Sequence, residues 1–111
     1  MDIFFKTGGI QKLCSQNAVA QKKLGAKMAR KLQQRMMELK AAVTLADISR
    51  LPPARCHELK GNRKGQLSVD LEHPYRLLFV PAHSPVSTKE DGGLDWAGVT
   101  EIEVIEIVDT H

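Results

Sequence analysis

Apolar positions along the chain switch from a helical to a twofold repeat near its middle. From Ala18 to Val43 there is no proline, and Leu24, Met28, Leu32, Met36, Leu39 and Val43 recur at spacings of 4, 4, 4, 3 and 4. That spacing predicts one long amphipathic helix with a single apolar stripe. Its other faces carry Lys22, Lys23, Lys27, Arg30, Lys31, Arg35 and Lys40 against one acid, Glu38. Like charges at helical spacing repel, so packing of the apolar stripe has to hold this helix. Gly25 interrupts the pattern at a cost of about 1 kcal/mol relative to Ala, and it permits another element to approach closely. Met28 and Met36 read as core. Ahead of the helix, Asp2–Phe5 predicts a short edge strand, ended by Gly8-Gly9 and followed by a brief helix over 10–15. Behind it, Thr44-Leu45-Ala46-Asp47 resembles a capping box opening a short helix, which Leu51-Pro52-Pro53 stops.

Beyond the prolines the period is two. Residues 57–60 predict a short strand, and Gly61 to Gly65 a hairpin loop. Over 66–71, Leu67, Val69 and Leu71 point one way while Gln66, Ser68 and Asp70 point the other, which predicts a half-buried strand. His73-Pro74 marks a turn, and Tyr75–Val80 follows as a strand with Arg76 set among Leu77, Leu78, Phe79 and Val80. The stretch from Pro81 to Gly98, rich in Pro, Ser and Gly, predicts a long, mobile surface loop. Glu101–Asp109 has apolar residues of both parities, as expected of a strand covered on part of both faces. The order predicts an α+β fold: an N-terminal strand and helices packed on one face of a mainly antiparallel sheet.

Composition narrows the setting. A chain of 111 residues, 42% hydrophobic and 26% charged, fits one globular domain over 1–111 that needs no staples. Cys14 and Cys56 form no CxxC pair and no zinc spacing, which predicts a reduced, cytoplasmic protein. The apolar run near Met1 is too short for a signal peptide, and no run approaches the ~20 residues of a membrane span, so neither export nor membrane insertion is expected. The net charge of +3 conceals a segregation: residues 1–65 hold 14 Lys+Arg against 4 Asp+Glu, residues 66–111 only 2 against 9. The basic half points to an anionic partner, or else to a solvated basic helix with none. Aromatic residues make up only 5%, which favours phosphate contact over base stacking.

Among the strands, the polar residues suited to chemistry are His57, Lys60 and Arg76, with Asp109-Thr110-His111 at the end. Strands bring distant residues side by side, and this set matches the needs of RNA cleavage by the ribose 2′-hydroxyl. That reaction takes a base, cations for the charge growing on the phosphoryl oxygens, and an acid for the leaving 5′-oxygen. No metal or other cofactor is called for. Structural readings stand beside each role: His57 as a half-buried strand residue, Arg76 as a partner of Asp70 or Glu72, and Lys60, Arg63 and Lys64 as a solvated turn. Cys56, His57, His73 and His83 match no zinc spacing, and no phosphate-cradling glycine loop is present.

Several separated blocks together resemble a known family. They are Arg55-Cys56-His57-Glu58-Leu59-Lys60-Gly61-Asn62-Arg63-Lys64-Gly65, then Ser68-Val69, Tyr75-Arg76-Leu77-Leu78-Phe79 and Val108-Asp109-Thr110-His111, with Phe4-Phe5 and 9–13 before them. The chain resembles the HigB, or plasmid-maintenance killer, branch of the RelE/ParE toxin superfamily. The resemblance implies a RelE/ParE-like fold and the toxin of a type II toxin–antitoxin pair, a ribosome-dependent endoribonuclease that cuts mRNA. Its implied partners are a HigA-like helix-turn-helix antitoxin, the ribosome and mRNA, with no membrane. Implied site residues are His57 as acid or base, Lys60 and Arg76 as phosphate contacts, and Asp109 and His111 at the carboxy-terminal side. Arg63 and Lys64, with Lys23, Lys27 and Arg30 on the basic helix, would contact RNA. Thr110 replaces the family's usual Tyr, Leu67 its usual aromatic residue, and the 81–98 loop is longer than in compact members. The superfamily also includes gyrase-poisoning proteins, so the alternative is a non-enzymatic binder: a gyrase inhibitor, or an inactive homologue that retains antitoxin binding.

Overall fold

The computed structural model describes residues 1–83 and 85–109. The predicted long helix is two helices. Gly25 sits at φ +85°, ψ +158°, a conformation essentially reserved for glycine, and divides α2 (Asn17–Leu24) from α3 (Ala26–Ala41). The two pack against each other. A shorter helix, α1 (Gly8–Ser15), precedes them, its N-terminus capped by the Thr7 hydroxyl, which accepts from the Ile10 amide at 3.2 Å. Val43, placed by periodicity on the apolar stripe, lies outside α3 and is exposed, because the chain leaves the helix at Ala42 and buries that residue instead. Asp47 accepts from the Thr44 amide at 3.1 Å and stabilises a single 3-10 turn over Leu45–Asp47, where Leu45 is fully buried.

Among the described residues, β1 (Asp2–Phe5), β2 (His57–Glu58), β3 (Leu67–Asp70), β4 (Tyr75–Pro81) and β5 (Glu101–Asp109) form one sheet in the order β1-β5-β4-β3-β2. β1 runs parallel to β5, and the other pairs are antiparallel. The helices cover one face, where Leu67, Val69, Leu77, Phe79, Ile102 and Val104 join Met28, Leu32, Met36 and Leu39 in the core. This is the expected α+β architecture. The mixed parity of β5 has a local cause: the β4–β5 register shifts between Leu78 and Phe79, which pair with Glu106 and Val104 and leave Ile105 as the extra residue of a bulge.

The segment predicted as a long surface loop is at least partly exposed at every described position but Trp96, as expected, but it is internally bonded and anchored at Trp96. Thr88 bridges to Leu94, the Lys89 amide donates to the Gly93 carbonyl at 2.7 Å, and Trp96–Gly98 forms a 3-10 turn. Trp96 is buried; its Nε1–H donates to Glu58 Oε2 at 3.1 Å, and the Arg50 guanidinium lies 3.7 Å from the ring centroid. This side chain ties the loop to β2 in a way that glycine and proline content does not reveal. No helix of the described residues is long and apolar enough to cross a membrane.

Candidate active site

The sheet face turned away from the helices carries two of the sequence-predicted site residues, His57 and Arg76. Pairing sets His57 opposite Ser68, Ser68 opposite Leu78, and Leu78 opposite Glu106, while Asp70 faces Arg76 and Arg76 faces Val108. Side chains alternate along a strand, so these residues share one face. Ser68 was expected to point outward to solvent, yet it is fully buried, as is Leu78. On the same face Arg63 Nη1 donates to Glu106 Oε1 at 2.9 Å and to Gln66 Oε1 at 3.3 Å. To reach β5 from the β2–β3 connection, Arg63 has to cross the row that contains both residues. Ser68 Oγ has no hydrogen-bond partner among the described residues.

His57 and Arg76 meet. The Arg76 side chain, 12% exposed, places Nη1 3.4 Å from His57 Nε2 and Nε 3.4 Å from Asp70 Oδ1. The other ring nitrogen of His57, Nδ1, lies 3.0 Å from the Arg55 carbonyl oxygen. A carbonyl only accepts and a guanidinium only donates, so the proton sits on Nδ1 and the lone pair on Nε2. In that tautomer the Nε2 lone pair faces the Arg76 guanidinium.

Asp70 organises the cations. Its Oδ2 accepts from Arg55 Nε at 2.6 Å, its amide donates to the Ala54 carbonyl at 2.7 Å, and its own carbonyl accepts from Arg35 Nε at 2.7 Å. Arg35 is a cation on the core side of α3, 3% exposed and balanced by Glu38 at 3.2 Å. Burying it is tolerable because each contact is a charge-assisted hydrogen bond. The 3–4 periodicity places Arg35 beside Met36, but nothing local identifies its partner 35 residues away.

The remaining predicted residues fall into three places. Lys60 and Lys64 are exposed around the 3-10 turn over Gly61–Arg63, beyond the end of β2, and neither makes an ion pair among the described residues. Lys23, Lys27 and Arg30 are exposed on α2 and α3, in the layer on the other side of the sheet, with Lys27 3.5 Å from Glu72. Arg63, in the 3-10 turn beside Lys60 and Lys64, pairs with Glu106 at 2.9 Å and remains partly exposed. Asp109 is exposed at the end of β5, where it pairs with Tyr75, one residue along from the Arg76–Val108 pair. His111 lies outside the described residues. Among the described residues no group of three or more His, Cys, Asp or Glu is placed to hold a metal ion. Sequence reasoning missed Arg55 as a member of the site. The one signal for it is its place two residues before His57, and its role depends on a backbone conformation no propensity predicts.

No protein-family model matches the chain, and no curated protein sequence does either. Its fold is similar to that of a solved structure described as a YoeB/ParE toxin from Agrobacterium tumefaciens, with a TM-score of 0.56, 14% sequence identity and 100% of each chain covered. At that identity the likeness is one of fold, and it extends from end to end of both chains.

Proposed function

We propose that this protein is the toxin of a type II toxin–antitoxin pair, with residues 1–111 as one toxin domain, and that it acts as a metal-independent, ribosome-dependent endoribonuclease of the HigB kind. The observation that carries this reading is the contact of His57 Nε2 with Arg76 Nη1 at 3.4 Å on the face of the sheet not covered by helices. The toxin-like fold over the whole chain supports it.

In this reading Nε2 of His57 takes the proton from a ribose 2′-hydroxyl. The 2′-oxygen attacks the adjacent phosphorus, and the bond to the 5′-oxygen of the next nucleotide breaks, giving a 2′,3′-cyclic phosphate and a 5′-hydroxyl. Arg76 leaves Nε2 for the phosphoryl oxygens as their charge grows, and Asp70 keeps its guanidinium oriented. Lys60 adds a second cation from the loop edge, and His111 is assigned the proton returned to the leaving oxygen. Lys23, Lys27, Arg30 and Lys64 hold ribosomal or messenger RNA by charge. The natural partner is a HigA-like helix-turn-helix antitoxin, and the site of action is the cytoplasm.

The test is primer extension on a defined mRNA in a purified translation system, with and without ribosomes. New 5′ ends that require ribosomes are expected. His57→Ala and Arg76→Ala, if folded by circular dichroism, are expected to cut about 10²–10⁴-fold more slowly, the range of a lost acid–base or charge-stabilising group. Full cleavage by both variants would sink the proposed site. No cleavage by the folded wild type would favour a non-enzymatic binder, for which gyrase supercoiling is the next assay.

A further inference from the structure

Arg55 is the one non-glycine residue among those described with a positive φ, +45°. For a long side chain with a Cβ this left-handed conformation is unfavourable, and it persists where the surroundings impose it. Three contacts do so. The Arg55 amide donates to the Leu51 carbonyl at 3.0 Å, its Nε donates to Asp70 Oδ2 at 2.6 Å, and its carbonyl oxygen lies 3.0 Å from His57 Nδ1. Flipping Arg55 to negative φ would rotate the carbonyl away from the imidazole and release the proton to either ring nitrogen. For a residue with a Cβ, the ion pair with Asp70 is thus the restraint that offsets the unfavourable φ and so keeps the carbonyl in place, and Asp70 Oδ1 also lies 3.4 Å from Arg76 Nε. One carboxylate thereby sets both neighbours of the same imidazole.

We propose that Arg55 is a positioning residue: its left-handed backbone, held by the ion pair with Asp70, fixes His57 as the Nδ1–H tautomer so that Nε2 carries the lone pair toward Arg76. This assignment rests on the reading of His57 as a general base, but the tautomer itself is a property of the free protein and is measured without any substrate.

The experiment compares Arg55→Gly with Arg55→Ala by long-range proton–nitrogen NMR of the His57 ring above its titration, and by ribosome-dependent cleavage. Both variants lose the guanidinium and the ion pair equally. Glycine accepts positive φ at no steric cost and leaves the carbonyl where it is, whereas alanine, no longer restrained, relaxes to negative φ. Wild type and Arg55→Gly are expected to show protonated Nδ1, and Arg55→Ala a mixture of tautomers. Correct tautomer placement is a large part of the roughly 10²–10⁴-fold effect of general-base catalysis, so Arg55→Gly is expected to cut at least about tenfold faster than Arg55→Ala. A wild type protonated on Nε2, or the same tautomer ratio in both variants, would overturn the assignment. If the tautomers separate as expected but no form of the protein cuts mRNA, the positioning role stands and the ribonuclease reading falls.

Discussion

At the residue scale, the two cysteines show how burial replaces reactivity. Cys56 stands one residue before His57 and two residues from Glu58, where sequence alone would permit a nucleophile, yet it is fully buried and burial pushes its thiol from 9.0 to about 12. Cys14, half-buried, is raised to about 11 for the same reason. Neither is a thiolate near neutrality. The shift carries a stability consequence whose direction follows from proton counts. Between pH 9 and about 12 the unfolded chain releases the Cys56 proton while the folded chain keeps it. Folding therefore weakens as pH rises through that window, by at most about 1.4 kcal/mol per pH unit from this group. Urea melts at pH 8 and pH 10 should show a larger loss for wild type than for Cys56→Ala. Equal losses would mean that the buried thiol titrates as if exposed.

At the scale of elements, the decisive position is Gly25. Helix propensity alone says that Gly25→Ala should stabilise a continuous helix by about 1 kcal/mol. The structure says the opposite, because φ +85° with ψ +158° excludes a Cβ even though nothing lies within 4 Å to clash with it. Strain of this kind costs about 1–3 kcal/mol, so Gly25→Ala should lower the urea midpoint without changing the slope. A raised midpoint would show that α2 and α3 can fuse. The short β2 shows the same dependence on distant partners. Two paired residues do not hold a strand on their own, and Glu58 is held in addition by the Trp96 indole 38 positions later. The segment that reads as loop is thus part of what places His57.

At the scale of the whole molecule, charge and candidate chemistry lie on different sides of the sheet. The basic residues of α2 and α3 belong to the helical layer, and His57 with Arg76 to the opposite face. A partner nucleic acid that reaches both has to be large or wrapped, which fits a ribosome better than a short oligonucleotide. Replacing Lys23, Lys27 and Arg30 together by Ala should weaken ribosome association at 0.1 M salt and reduce the logarithmic salt slope by about 0.7–0.9 per lost phosphate contact. His57→Ala should leave that slope unchanged. A triple variant with the wild-type slope would remove the helices from the RNA surface and leave them a solvated basic layer.

Much of this was legible along the chain, and what was not shares one physical cause. Periodicity, prolines and glycines are short-range signals, and they placed β1, α1, the strands after Pro53 and the α+β layering, because hydrophobic alternation has to match the face a segment buries. They also put His57 and Arg76 on strands that two successive hairpins could bring together. They did not show that Gly25 turns the chain rather than merely weakening a helix, since a glycine's φ is chosen by the packing of what flanks it. They did not show that Ser68 is buried, that Arg63 reaches across to Glu106, that a bulge gives β5 both parities, or that Trp96 anchors the 81–98 segment. Sequence by itself determined which segments are helical or extended and which side of each is apolar. The tertiary structure alone decided which cation meets which carboxylate, because a pair such as Arg35 with Asp70, or Arg55 with His57 and Asp70, depends on register and backbone geometry between segments that have no local reason to meet.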